Sequence, residues 1–444
     1  MILLRFTVRN HKSIREEVTI DLTRPTLRTL APKSGAWGDY VYTLAGIFGP
    51  NASGKSAVLD AMNYAFTAIR NSSTTWQART KMPRVPFRLD GRSREEPSKY
   101  VLEFVHDGRR HEYGFELDSK GVLTEWLREA SGRWRTLFER RRGQRAVKLG
   151  SSMRVLGDVS DRELALSRAY VLEHPQLFPI ATDLIASFDI VSVKDSHREV
   201  RLRNIAESLV DGSITSLDIE TLLQVADIGI RAVTVEEKDL PERVQRALQL
   251  FKRAMNEGDT GDVEKAGDKD GMTSEELEEE DSKQIVRNLL FTHRGESDDC
   301  PPFSINQESD GTVAWLALMV PVTETLREGG LLCIDEIDSS LHPHLLDVVL
   351  GLFADPRLNR KHAQLIFTSH ETYILSPLSE IDLEPEQVWF TDKSYDGVTE
   401  ITCLAEFPRH GDANVAKRYL SGRYGGTPRL APSMLETLLI SEDA

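Results

Sequence analysis

Gly49-Pro50-Asn51-Ala52-Ser53-Gly54-Lys55-Ser56 is the stretch on which the reading of this chain turns. It fits the pattern G-x-x-x-x-G-K-[ST], and Ala57 opens the apolar run that follows it. Upstream, Tyr42-Thr43-Leu44-Ala45-Gly46-Ile47-Phe48 is apolar and strand-like; downstream, Ala57 to Phe66 places apolar residues at helical spacing. Strand, glycine loop and helix in that order make a phosphate cradle. The glycines let the backbone curl so that its N–H groups face phosphate oxygens. Lys55 supplies charge to the β- and γ-phosphates, Ser56 offers a hydroxyl to Mg²⁺, and the helix turns its positive end toward the same point.

A second acidic element answers the loop. Leu331-Leu332-Cys333-Ile334 is a buried-strand run that ends in Asp335 and Glu336. Such a strand delivers two carboxylates to the carboxyl edge of an open α/β sheet, where ligands bind. Asp335 suits Mg²⁺, directly or through water, and Glu336 suits the orientation and polarisation of an attacking water. Parallel runs at Leu365–Thr368 and Val388–Phe390, with helices between them, predict a βαβ sheet.

The rest of the chain sorts by pattern. A length of 444 residues predicts more than one domain, and 40% apolar content supports a core. A net charge of −15 argues against coating nucleic acid through bulk charge. Cys300, Cys333 and Cys403 are far apart, which fits a reducing cytoplasm and excludes a cysteine zinc site. No apolar run is long enough for a signal peptide or a membrane span. Met1 to about Asp21 reads as a strand pair around Asn10-His11-Lys12-Ser13, and residues 96–150 as an antiparallel meander. These give expected divisions at 1–160 for an N-terminal head half, 161–300 for a mainly helical insertion, and 301–444 for a C-terminal head half. Residues 257–282, ending in Glu275–Asp281, are expected to be a flexible acidic excursion.

Lys55 and Asp335 stand 280 residues apart. In AAA+ and simple RecA-type cores these elements lie closer. The long insertion resembles the ABC-type heads of SMC proteins and their break-repair relatives, in which terminal segments build one P-loop ATPase head. Further motifs agree with that resemblance. Asn10–Ser13 is similar to the N-F-K-S turn, which implies that Lys12 meets nucleotide. Glu308-Ser309-Asp310-Gly311-Thr312 is similar to a degenerate ABC signature, which implies that Ser309, Gly311 and Thr312 reach the γ-phosphate bound by a second protomer. Ser339-Ser340-Leu341-His342-Pro343 takes the D-loop place, and His370 matches the switch histidine. A Q-loop glutamine is missing; Gln77 lies in a polar loop with no strand before it. Read without the resemblance, Ser309-Asp310-Gly311 suits a turn and helix cap, and His370 a structural strand end.

Sustained heptads are absent, so the chain is not a tethering rod. It resembles the small ABC-type AAA ATPases of bacterial defence loci: RloA-like proteins, the ATPase half of OLD nucleases, and the PARIS ATPase. The resemblance rests on GPNASGKS, Pro86–Asp90, Tyr113–Leu117, ESDGT, IDEIDSSLHPHL, TSHET and the Tyr419–Pro428 tail. It implies ATP and Mg²⁺ as ligands, hydrolysis through Lys55, Glu336 and His370, and a homodimer or larger oligomer closed by an ATP sandwich. No Toprim acid cluster follows His370, so the effector, a Toprim protein or other nuclease, is expected to be separate. The rivals are a RecF-like repair ATPase, whose DNA contact could use the basic run Arg133–Lys148, and a slow ATP-gated scaffold. His342 and His344 flank Pro343 and suit structure better than a metal.

Overall fold

The computed structural model describes residues 1–144, 148–150, 156–192, 195–226, 229–239, 285–295, 300–339, 341–408 and 414–426. The chain forms two compact units, Met1–Lys194 with Leu318–Ala444, and Asp195–Ala317. The acidic stretch 257–282, Arg145, Ser340 and the last two residues of Tyr419–Pro428 lie outside the described residues.

The first unit contains β1 (Ile2–Arg9), β2 (Val18–Asp21), β3 (Leu44–Phe48), α1 (Lys55–Asn71) and the short α2 (Gly91–Glu95). The meander follows as β4 (Ser98–His106), β5 (Arg109–Asp118), β6 (Gly121–Ser131), β7 (Arg133–Arg141) and β8 (Lys148–Leu149). Then come α3 (Ala165–Val171), α4 (Phe178–Ala186) and β9 (Phe188–Ser192). The second unit holds α5 (Asp195–Asp211), α6 (Ser216–Ala226), β10 (Ile230–Asp239), β11 (Ile285–His293), β12 (Phe303–Ser304) and the start of α7 (Asp310–Glu328). The first unit resumes along α7 and adds β13 (Leu331–Asp335), α8 (Pro343–Ala354), β14 (Gln364–Ser369), β15 (Val388–Lys393), β16 (Thr399–Cys403) and α9 (Val415–Leu420).

Two sheets make the first unit. One is antiparallel, in the order β2-β1-β4-β5-β6-β7-β8; the other runs β16-β15-β3-β14-β13-β9. In the second sheet only β15–β16 is antiparallel. Every residue of β3 and of β14 is buried, as strands covered on both faces require. The strands of the meander alternate more openly, with one face on the core. Helix α1 buries Val58, Met62, Ala65 and Ile69, a stripe at helical spacing. That stripe shares one core with Phe6, Tyr100 and Phe115 of the antiparallel sheet and with Cys333 and Ile366 of the other. In the second unit, α5 and α6 pack on the β10–β11 ribbon.

The structure redraws the expected insertion. Residues 161–192 belong with the head, because α3 and α4 pack on α1 and β9 pairs in parallel with β13. Beside α5, α6 and the start of α7, the remaining unit carries a long antiparallel ribbon of β10 and β11, Ile230 to Asp239 against His293 to Ile285. Val388–Phe390 is confirmed as a strand, and it lies in parallel beside β3.

Candidate functional site

Strand β3 ends at Phe48 and feeds the Gly49–Ser56 loop, which enters α1 at Lys55. The loop needs two left-handed residues, Ala52 at φ 65° and Gly54 at φ 108°. Glycine adopts that conformation freely; alanine there is strained and is held by its surroundings. Ser53 N–H donates to Pro50 O at 3.2 Å, which closes the curl. Lys55 is buried, and its Nζ donates to Gly49 O at 2.6 Å and Pro50 O at 3.1 Å. Burial lowers its pKa, and the carboxylates of Glu336, Asp338 and Asp335 pull it back toward the charged form. The ammonium thus folds back onto the carbonyls of its own loop.

Ser56 Oγ donates to Asp335 Oδ1 at 2.9 Å, so residues 279 positions apart converge on one point. A neutral hydroxyl and a carboxylate are hard oxygen donors, the set that suits Mg²⁺. Asp335 does not stand alone. Thr368, fully buried near the end of β14, donates its hydroxyl to Asp335 Oδ1 at 2.7 Å. Thr368 Oγ1 in turn accepts the N–H of Glu336 at 2.7 Å, and the Thr368 carbonyl accepts from Ile337 N at 3.0 Å. Glu336 is exposed and left-handed, at φ 56°. A non-glycine residue in that region stores strain, and here the three hydrogen bonds through Thr368 hold it. The acid therefore leaves the sheet edge in a fixed direction.

His370 follows β14 directly. Its Nδ1 lies 3.1 Å from Asp338 Oδ2, and Asp338 has a side chain only 2% exposed. Asp338, His370 and Glu371 each bring one ligand atom within 4.8 Å of the others. The imidazole thus faces the buried Asp338 carboxylate at the carboxyl end of β14.

Other expected residues fall differently. Lys12, left-handed at φ 49°, pairs its Nζ with Asp60 Oδ1 of α1 at 2.6 Å. His11 stands where the resembled turn has Phe; it is wholly buried, with Nε2 2.7 Å from Asp60 Oδ2 and Nδ1 2.7 Å from Tyr100 OH. Burial would raise the Asp60 pKa, but hydrogen bonds from His11 and Lys12 outweigh it and hold the carboxyl below its usual range. Ser309 and Thr312 lie in the second unit, where Ser309 Oγ accepts from Thr312 N at 3.1 Å. That is a helix cap for α7, the plainer reading of ESDGT; Gly311 stands in the same first turn. Gln77 is exposed beyond the end of α1 and lines an open cavity with Gln144, Asp158 and Arg168, none of them residues of the phosphate loop or the acid strand.

Four arginines of the basic run have acidic partners. Arg135 pairs with Glu129, Arg140 with Glu125, Arg141 with Glu139 and Arg142 with Asp118. Sequence reading missed Thr368 and Asp338. The only signal was a hydroxyl and an acid placed two residues from His370 and Glu336, which takes on meaning once β14 lies beside β13.

The phosphate loop and the acid strand flank β14 in one parallel sheet, with an antiparallel meander over α1. That arrangement defines an α/β P-loop ATPase head of the ABC type. The chain belongs to the family described as "AAA domain, putative AbiEii toxin, Type IV TA system", whose family model matches residues 44–376. No curated protein matches the chain. Similar solved structures include an Smc head bound to the C-winged helix domain of ScpA, with TM-score 0.45 and 13% identity over 90% of this chain and 97% of that one. The SMC head domain from Thermotoga maritima has TM-score 0.38 and 12% identity over 91% and 99%. The recombination mediator protein RecF with ATPrS, in the RecFOR pathway, has TM-score 0.37 and 13% identity over 90% and 97%. Among the described residues no helix is long and apolar enough to cross a membrane.

Proposed function

We propose that this protein binds ATP with Mg²⁺, hydrolyses it, and uses nucleotide-dependent self-association to govern a separate effector in antiphage defence. The observation that carries the chemistry is the convergence of Ser56 and Asp335 at 2.9 Å beside Lys55 and a conformationally fixed Glu336. Residues Gly49 to Ala57 wrap the phosphates, with backbone N–H groups from Asn51, Ala52, Ser53 and Gly54 toward the oxygens. Lys55 leaves its loop carbonyls for the β- and γ-phosphates. Ser56 and Asp335 hold Mg²⁺, which neutralises phosphate charge when bound. Glu336 orients and polarises the water, and His370 meets the γ-phosphate from the end of β14. Ser309, Gly311 and Thr312 of a second protomer complete the site, and Lys12 exchanges Asp60 for nucleotide. The work done is conformational, since ATP shifts populations only by binding two states differently.

The family description, a putative toxin of a toxin–antitoxin system, supports defence over repair. The pairing of the meander arginines weighs against a RecF-like DNA contact at that stretch. Replacing Glu336 tests the reading. Glu336→Gln should lower ATP turnover by about a hundredfold or more, keep ATP binding, and accumulate an ATP-dependent dimer in light scattering. Unchanged turnover would show that the general-base assignment is wrong. Lost turnover with intact effector control would favour the ATP-gated scaffold.

A further inference from the structure

The phosphate loop is gripped from a side that its motif does not report. Strands β15 and β16 lie beyond residue 376, where the family match ends. Each brings one buried threonine to the loop. Thr391 on β15 is wholly buried, and its Oγ1 lies 2.6 Å from Ser53 Oγ and 3.3 Å from Phe48 O. A carbonyl can only accept, so Thr391 gives its single proton to Phe48 O and takes the proton of Ser53. Thr399 on β16 is 3% exposed and donates to Ser53 O at 2.9 Å. Its Oγ1 also lies 2.8 Å from Ser13 Oγ, and its N–H donates to Ser13 O at 2.8 Å. One residue thus ties the phosphate loop to the turn that carries Lys12.

The fit is close. A Cβ on Gly54 would sit 2.0 Å from Thr399 Oγ1, and one on Gly49 would sit 2.2 Å from Thr391 Oγ1. Both motif glycines are therefore needed for the approach of these threonines, in addition to any conformational demand. The strain at Ala52 has to be held by something outside the loop, and the Ser53 carbonyl and hydroxyl are where the outside contacts land.

We infer that Thr399 is a positioning residue of the nucleotide site, and that its hydroxyl sets the orientation of the Ser53–Gly54 peptide and couples it to the Asn10–Ser13 turn. Thr391 holds the Ser53 side chain from the adjacent strand. This rests on the reading that Gly49–Ser56 cradles ATP phosphates. The C-terminal hairpin is then part of the ATP site, although it lies outside the matched domain.

Thr399→Val removes the hydroxyl at nearly constant volume. The affinity for ATP, measured with a fluorescent analogue and by isothermal titration, should weaken by about tenfold, the worth of one ordinary hydrogen bond. Turnover at saturating ATP should change by less than about threefold, because Asp335 and Glu336 are held separately through Thr368. Thr399→Ser should restore the affinity. Wild-type affinity in Thr399→Val, or equal losses in the Val and Ser variants, overturns the inference. Thermal melting checks folding. If Thr399→Val does not fold, Ser13→Ala at the half-buried partner must weaken ATP binding in the same direction, and unchanged affinity there overturns the inference. Lys55→Ala separates the two levels: if it binds ATP as wild type does, the reading of the loop fails and not merely the role of Thr399.

Discussion

Thr368→Val probes how the acid pair is held. The substitution keeps the volume of a fully buried side chain and deletes one hydroxyl. Lost first is a charge-assisted bond to Asp335 Oδ1 at 2.7 Å, worth ~1.5–3 kcal/mol. Lost second is the acceptor for Glu336 N–H at 2.7 Å, worth ~1 kcal/mol. Against these, Glu336 can relax from φ 56°, which returns ~1–3 kcal/mol of strain. The net destabilisation should be about 1.5 kcal/mol, measured by urea unfolding. The relaxation that limits this cost is also what misplaces the acid. Each ~1.4 kcal/mol of lost transition-state stabilisation is tenfold, so a loss of ~1.5 kcal/mol should lower turnover about tenfold, while ATP affinity moves little. Steady-state hydrolysis across a Mg²⁺ titration reads both. Thr368→Ser keeps the hydroxyl and should hydrolyse ATP at close to the wild-type rate. Turnover in Thr368→Val within about threefold of wild type would refute the argument, as would a serine variant no faster than the valine one.

Two further outcomes follow from the geometry. Gly54→Ala places a methyl 2.0 Å from Thr399 Oγ1 at a φ of 108°, so ATP binding should be abolished and unfolding should occur at lower urea. Wild-type affinity in that variant would contradict the packing. Asp60 titrates below its ordinary carboxyl value, so its contribution to stability is complete above 3.8 and is lost as pH falls through the lower folded value. Asp60→Asn should therefore flatten the acid limb of a stability–pH profile, and an unaltered limb would show that the His11–Lys12–Asp60 cluster contributes nothing.

Much of the head was legible because its signals are local. The glycine loop, the four-apolar run into Asp335, and the alternation of β4 to β7 are each fixed by neighbours in sequence. Strand β9 was not legible. At the sheet edge only Phe188 and Val191 are buried, and Asp189 interrupts the apolar run, so no covered-strand pattern forms. Strands β10 and β11 were obscured by the long segment between them, which leaves no turn signal to pair them. At the site, motif residues were found and their supports were not. Thr368, Thr391 and Thr399 are ordinary strand threonines until the sheet order brings β14 against β13 and β15 against β3. The contacts that Ser309 and Lys12 make within the chain, with Thr312 and Asp60, carried no signal in the motifs.

The pairing of β9 with β13 has a mechanical meaning. Ser192 stands in register with Asp335, and the chain passes into its second unit three residues later, at Asp195. The last rung of β9 is therefore also the rung of the carboxylate assigned to Mg²⁺. Linkage makes the coupling symmetric: if nucleotide stiffens the rung, an anchor gripping residues 195–317 changes nucleotide affinity by the same factor that nucleotide changes the anchor's.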